Sequence, residues 1–528
     1  MSATIYSQFH VTAESFGSST AILYEGRKWT YEKLDKKILL YAGKLARLGV
    51  KKGDVVAILL PNCFASLTLF YAVNALGGIS YLIHPYTPAK ELLGFVRKSQ
   101  AKYLVLLDKW ANEIHQVLEQ EGLVFLSADP FDDASLLKKI AFVGWKPLDK
   151  EIHPLTSLKS QKVDVWNGSE SDVAVYLNTG GTGGEPKIVT LTNGALNSLG
   201  RKGYPLIGGE VTAIKVLTAI PLCHGFGLAM GIHTPLSNGA STVLLNKFRT
   251  KQAISLIRRG QVTVLIGVPA LYNALLSKET LAGTWLKKQI IAFVGGDSVP
   301  ESLLTRWNET MEKCGSEARL YQGYGLTETV NVSNVNTEKK HRLGSVGLPL
   351  PGLSEIVVGP ETSQPLPPLS HGEILIAGDT LMKGYLGESN DGFTEINGTR
   401  YVRTGDYGYL DEDGYLFFEQ RLRRIVKING ETVCPSLLEK TALSFYEIYE
   451  AYAYGSKDER SGASMHLALV LRHGFEKCDR PQLLEKLTTR LKSNLPPFAL
   501  PKKVFFLDSL PKTPIGKIND AALAKMDE

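Results

Sequence analysis

Residues 178–193 read NTGGTGGEPKIVTLTN. Gly180, Gly181, Gly183 and Gly184 crowd in just before Pro186 and Lys187, and a β-branched run follows. AVYLNT ahead of the glycines is strand-like as well, so the pattern predicts two strands joined by a glycine-rich loop. A Walker-type phosphate loop opens a helix and sets serine or threonine after its lysine. Ile188 follows the lysine here, which argues against a P-loop hydrolase. The glycines still suit an anion, because successive N–H groups without Cβ atoms can curve into a nest. Thr179 and Thr182 add hydroxyls, and Lys187 adds charge. Taken alone, the stretch is either a phosphate cradle or a flexible hairpin loop.

The whole chain sets the frame. Its 528 residues predict two to four domains. A net charge of +6, with basic residues scattered apart from clusters such as Arg421 to Arg424, argues against a nucleic-acid binder and suits anionic small substrates. The five cysteines are far apart with no C-x-x-C spacing, so neither disulfides nor zinc are expected, and a reducing cytoplasm is. No secretory leader, lipidation site or peroxisomal signal is read at either end. No charged residue occurs between Asp54 and Lys90, yet Pro61-Asn62, Asn74 and Gly77-Gly78 interrupt the run. It reads as strand, turn, helix and strand rather than as a membrane span, and no stable membrane insertion is expected.

Apolar runs near Tyr103, Val216, Val262 and Ile290 alternate with helical segments, which predicts layered α/β architecture. From about residue 345 to 421, short strands with turn signals predict a small β-rich subdomain. Beyond it, VKING, AYAYGS, MHLALVL and KVFFLD, interleaved with helices near Leu437 and Arg480, predict a compact α+β domain. The expected division is a large N-terminal domain, 1–422, and a small mobile C-terminal domain, 423–528.

TGGTGGEPK resembles the T-S-G-T-T-G-x-P-K loop of adenylate-forming enzymes, which comprise acyl- and aryl-CoA synthetases, amino-acid adenylation domains and luciferases. Later stretches follow in the family's order: IPLCHGFG, GYGLTE, GEILIAG with KGY, YVRTGD, RLRRIVKING and LPKTPIGKI. The resemblance covers nearly the whole chain. Three positions depart from it. Gly180 replaces the usual serine, Gly183 the second threonine and Ile188 the glycine after the lysine.

The resemblance implies ATP, Mg2+ and either CoA or a carrier-protein phosphopantetheine as cofactors, with a small carboxylic acid as substrate. Thr179, Gly180, Gly181, Thr182, Gly183, Gly184 and Lys187 are then the phosphate loop. Glu328, with Thr182, is the magnesium ligand, and Thr327 lies near the α-phosphate. Gly296, Asp297, Gln322, Gly323, Tyr324 and Gly325 surround adenine and phosphate. Asp406 accepts the ribose hydroxyls, because a carboxylate has two acceptor oxygens, and Arg421 contacts ribose or phosphate. Lys517 bridges carboxylate and α-phosphate as a point charge on a long stem. Arg423 stands at the hinge, where the family has Asp or Lys. Lys427, Asn429 and Gly430 approach the adenylate or the thiol arm, and His224 gates the carboxylate site. Each role has a bland alternative: a cap for Glu328, a turn for Asp406, core packing for Tyr324 and His224, and an ordinary surface position for Lys517.

By motif position Phe226, Met230, Val268, Gly295 and Gly325 line the acyl channel, and their apolar or small character predicts a fatty or aryl acid. CHGFGLAMG contains no acid to pair an α-ammonium, so an amino-acid substrate is not expected. Rival readings are a ligase that loads a carrier protein and a catalytically weak acyl or nucleotide sensor that keeps the fold.

Overall fold

The uncharged stretch folds as its apolar runs dictate. Val55–Leu59 and Ile79–Leu82 are strands buried at every position, and they pair in parallel. The crossover helix between them, Phe64–Ala75, is buried on all sides. It therefore has no solvent face on which a charge could sit. Cys63 and Ser66 close its N-terminus reciprocally, each side chain accepting the other's N–H. Among the described residues no helix is long and apolar enough to cross a membrane.

This computed structural model describes residues 3–132, 148–179, 186–277, 290–359, 363–389, 392–428, 431–458 and 462–511, with 518, 519, 522, 523 and 525. The architecture is mixed α/β, as the alternation predicts. The chain divides into two compact units, residues 1–355 with 376–403, and residues 356–375 with 404–528.

The first unit holds two sheets. A nine-stranded sheet runs in the order Leu348–Pro349, Asn334–Val335, Leu320–Tyr324, Ile291–Val294, Val264–Gly267, Lys215–Thr218, Ser241–Leu244, Thr20–Tyr24 and Arg27–Thr30. Its five central strands, Leu320–Tyr324 to Ser241–Leu244, are parallel. Leu217, Leu265, Val294, Trp307 and Leu320 share one core beside them. The eight-stranded sheet runs Gly384–Tyr385, Ile188–Thr192, Val173–Asn178, Ile79–Leu82, Val55–Leu59, Tyr103–Leu107, Val124–Ala128 and Ile152–Pro154.

Buried amides pin the segments together. Asn62 donates from Nδ2 to the Ile220 carbonyl and accepts the Leu222 N–H at Oδ1, each at 2.9 Å. Asn193 Oδ1 takes both the Ile5 N–H (3.1 Å) and the Asn74 Nδ2 (2.8 Å). Such groups are stable in a dry interior only when paired, and here each pairing joins distant stretches of chain.

A five-stranded sheet has the order Ser354–Val358, Gly372–Ala377, Thr399–Leu410, Phe393–Ile396, with Leu416–Arg421 paired to Thr399–Leu410. In the second unit, Ile448–Asp458 pairs antiparallel with Gly462–Leu471, which pairs in parallel with Lys503–Leu507. Helices Pro435–Leu443 and Arg480–Asn494 bury Leu438, Leu483, Leu487 and Leu491 with Met465 and Leu467 of the sheet. This is the small α+β unit that the C-terminal runs predict. All five cysteines are free.

Asn62→Ala would strand the Leu222 N–H and the Ile220 carbonyl in a place without water. It is expected to destabilise the first unit by about 2–4 kcal/mol, the cost of two buried groups left unpaired. Melting followed by circular dichroism checks this, and an unchanged transition would show that the Asn62 bonds contribute nothing.

Candidate active site

The glycine loop does join two strands. Val173–Asn178 and Ile188–Thr192 pair antiparallel, with Asn178 opposite Ile188. At the base of the loop the Thr179 N–H donates to the Lys187 carbonyl (2.9 Å), and the Lys187 N–H donates to Thr179 Oγ1 (3.1 Å). Gly180, Gly181, Thr182, Gly183 and Gly184 lie outside the described residues. Ile188, where the family has glycine, is fully buried, and its carbonyl accepts the Leu386 N–H at 2.8 Å.

That bond belongs to a wider junction. Gly384 and Tyr385 add a short antiparallel strand against Val189 and Thr190. Lys383 N–H donates to the Thr190 carbonyl, and Thr190 Oγ1 donates to the Gly384 carbonyl, each at 2.8 Å. Tyr385 thus stands beside the loop's stem. Its ring centroid lies 4.7 Å from Lys187 Nζ, and its hydroxyl donates to Glu328 Oε1 at 2.7 Å. The Glu328 carbonyl takes the Met382 N–H at 2.8 Å. Lys187 and Glu328, distant in sequence, thus both contact Tyr385.

The remaining first-unit residues gather at the carboxyl ends of parallel strands, where open α/β sheets bind their ligands. Ile291–Val294 ends in Gly295 and Gly296, next to Leu320–Tyr324, with Val294 opposite Gln322. A Cβ on Gly295 would stand 3.0 Å from the Gly323 carbonyl oxygen. Gly296 has φ +78°, a left-handed conformation that suits glycine. A Cβ on Gly296 would lie 3.6 Å from Val268 Cγ1 and 4.0 Å from Phe226 Cδ1, so these three residues share one apolar wall. Asp297 is exposed, with Oδ1 accepting the Ser298 N–H. Tyr324 and Glu328 are half-buried, and Thr327 is buried in the turn Thr327–Thr329.

His224 starts the turn Gly225–Leu228, and its Nδ1 accepts the Phe226 N–H at 3.3 Å. Burial pushes the neighbouring Cys223 thiol up to about 12, which removes a thiolate nucleophile at this point. The helical run then widens into a π turn, Ala229–His233. The Gly231 carbonyl accepts two hydroxyls, Thr218 Oγ1 at 2.8 Å and Thr242 Oγ1 at 2.7 Å. Met230 in this turn packs toward Gly203, whose Cβ would meet its sulfur at 3.1 Å. His233 bridges the Tyr71 hydroxyl and the Asn197 carboxamide. Desolvation, and secondarily the charge of Arg201, hold its imidazole down to about 3, so it stays neutral.

In the second unit Asp406 is buried and pairs across the hairpin with Arg421. Arg421 Nη1 lies 3.0 Å from Asp406 Oδ1 and donates to the Thr404 carbonyl at 3.2 Å. Thr404 Oγ1 accepts the Asp406 N–H at 3.0 Å. Arg423 is exposed in the short turn Leu422–Arg424. Its neighbour Arg424 pairs with Glu439 at 2.5 Å and donates to the Ala453 carbonyl at 3.2 Å. Lys427 is exposed on Val426–Ile428. Asn429, Gly430 and Lys517 lie outside the described residues.

Three features escaped the reading from sequence. Asn62, which holds the segment before His224, looked like an ordinary turn residue. Tyr385 was recognised only as part of a motif. Val330 (φ 55°) and Asn331 (φ 68°) form a left-handed pair just after Glu328, and that is unusual for a β-branched residue. The pair turns the Asn331 carboxamide over Gly225, where a Cβ would collide with it. The short stretch from 328 to 331 carries no glycine to announce it.

Residues 9–386 match the family described as AMP-binding enzyme, and residues 437–517 match the AMP-binding enzyme C-terminal domain. A long-chain-fatty-acid–CoA ligase of Bacillus subtilis (strain 168) is 28% identical over 545 residues, covering 98% of this chain and 93% of the relative. A 4-coumarate–CoA ligase of Vanilla planifolia is 27% identical over 489 residues, covering 90% and 84%. Among solved structures, ATP-bound MatB from Rhodopseudomonas palustris superposes with a TM-score of 0.86 at 24% identity, covering 100% and 99%, a likeness of fold. O-succinylbenzoate coenzyme A synthetase (MenE) from Bacillus subtilis, solved with ATP and magnesium ion, gives 0.79 at 25% identity, covering 97% and 98%. Two family domains in order over most of the chain, with CoA ligases among its relatives, lead to one conclusion: this chain belongs to the AMP-binding enzyme family and is an AMP-forming acid–CoA ligase.

Proposed function

We propose that the chain activates an apolar carboxylic acid, a fatty or aryl acid without a free α-amino group, and passes the acyl group to CoA. The observation that carries this reading is that Phe226 and Val268, two residues expected in the acyl channel, share one apolar wall beside Gly296, the glycine expected at the adenine edge. Two apolar side chains converge there on a glycine and leave room about the size of a methyl group beside it. A ring or an aliphatic chain gains from burial against such a surface. An ammonium would be desolvated without a partner, which is costly, and Asp297 is exposed with one oxygen engaged by its own turn.

In the first half-reaction a carboxylate oxygen attacks the α-phosphorus of ATP, and the bond to pyrophosphate breaks. Negative charge concentrates on the phosphoryl oxygens, so oriented N–H groups and cations lower the barrier. The glycine loop and Lys187 hold the β- and γ-phosphates. Lys517 spans the carboxylate and the α-phosphate, His224 donates toward the substrate carboxylate, and Tyr324 lies against adenine. Asp406 accepts the ribose hydroxyls. In the second half the thiol sulfur attacks the acyl carbonyl carbon, AMP leaves with the bonding pair, and the thiol proton passes to solvent. Residues 423–528 turn about Arg423 between the halves, and Lys427, Asn429 and Gly430 then face the thiol arm.

Magnesium fits the residues present. Among the described residues no group of three or more His, Cys, Asp or Glu could hold a metal unaided. Glu328 offers a single hard carboxylate, and Mg2+ is held in that way, by one or two carboxylates and the substrate's phosphate oxygens. When bound, it neutralises phosphate charge. Five free cysteines support a reducing, cytoplasmic setting.

The substrate class is tested by ATP–pyrophosphate exchange with fatty and aryl acids against the twenty amino acids. Exchange is expected with the apolar acids alone; robust exchange with any amino acid, and none with the apolar set, overturns the reading. The division of labour is tested with Lys517→Ala. Adenylation is expected to fall by about two to three orders of magnitude, the scale of one lost transition-state contact. Thioester formation from supplied acyl-adenylate should be largely spared, and equal loss in both halves would refute the role given to Lys517.

A further inference from the structure

The junction at Tyr385 has a geometry that the roles above do not use. We propose that Tyr385 is a positioning residue for the nucleotide: its hydroxyl orients the Glu328 carboxylate for a divalent cation, and its ring holds Lys187 in place for phosphate. This rests on reading Glu328 as the cation's ligand and Lys187 as a phosphate ligand.

A free glutamate side chain samples several rotamers, and a metal site needs one. The Tyr385 hydroxyl engages Oε1 at 2.7 Å, a charge-assisted bond in the strong range. The carboxylate has a second oxygen to offer, and that oxygen's direction follows from the first. The main chain of Glu328 is fixed as well, since its carbonyl takes the Met382 N–H three residues before Tyr385. Donors that orient a metal's ligand in this way govern affinity without touching the metal.

The other face of the arrangement concerns charge. Lys187 Nζ stands 4.7 Å from the ring centroid, within the range of a cation–π contact. That contact keeps a long flexible side chain near the loop's stem. It is weaker than an ammonium–phosphate contact, so Lys187 can exchange it for phosphate oxygens without rearranging the main chain. Tyr385 is rigid enough for both tasks because it pairs with Val189 in a sheet. The same side chain therefore sets the spacing between the phosphate cation and the metal-ligating carboxylate.

Two substitutions separate the hydroxyl from the ring. Calorimetric titration of the full chain with ATP, without any acid substrate, is run over graded Mg2+ and again in EDTA. In Tyr385→Phe the Mg2+ concentration for half-maximal ATP binding is expected to rise about tenfold, the usual scale for losing such an orienting bond. Its metal-free ATP affinity should stay as in the unsubstituted protein. In Tyr385→Leu both should weaken, because Lys187 also loses its support. Tyr385→Phe matching the unsubstituted protein in the Mg2+ series, or weakening ATP equally with and without Mg2+, overturns the proposal while leaving the functional reading intact. An unsubstituted protein whose ATP binding ignores Mg2+ overturns that reading, and the proposal with it.

Discussion

A glycine-rich stretch of chain has almost no side chain to stiffen it, so its shape depends on what clamps its ends. Here the clamp is main-chain pairing. Thr179 and Lys187 close the hairpin, and Gly384–Tyr385 adds a strand to its outer edge. Backbone bonds in a sheet are cooperative and directional, so they can fix a stem where loop entropy would otherwise dominate. Ile188 fits this logic. At that position a buried side chain in the core and a carbonyl bound to Leu386 stiffen the stem where glycine would loosen it.

The nine-stranded sheet of the first unit has its own ordered end. The parallel strands ending at Gly267, Val294 and Tyr324 bring their following residues to one side. Asn62 ties the end of a strand in the other sheet to Ile220 and Leu222, which places His224 relative to those ends. The Asn62 bonds between the two sheets are buried, so each of their partners would be left unpaired if it were lost.

Much of this was legible beforehand. Strand runs such as VVAIL and IAFV are buried at nearly every position, and such runs announce themselves by composition. Glycines such as Gly295 and Gly296 fall just beyond a strand end, where one adopts a left-handed conformation. The unread part depends on long-range pairing. Nothing local in PN marks Asn62 as a bridge to Ile220, and nothing in KGY marks Tyr385 as a partner of Glu328. The left-handed Val330–Asn331 pair was invisible for another reason: propensity argues against that conformation for valine, so only tertiary packing could impose it.

The π turn at Ala229–His233 has a consequence for how such an enzyme changes over time. A π turn carries one residue more than the α-helix around it, and the Gly231 carbonyl, four residues before Pro235 with its missing N–H, is taken instead by Thr218 and Thr242. Deleting one residue there would restore α-helical winding and rotate every later side chain by about 100° relative to Phe226. The side chains after this turn are thus set, relative to Phe226, by the number of residues in it. One in-frame deletion or insertion at this turn would reorient those side chains while the strand before it, Lys215–Thr218, keeps its pairing.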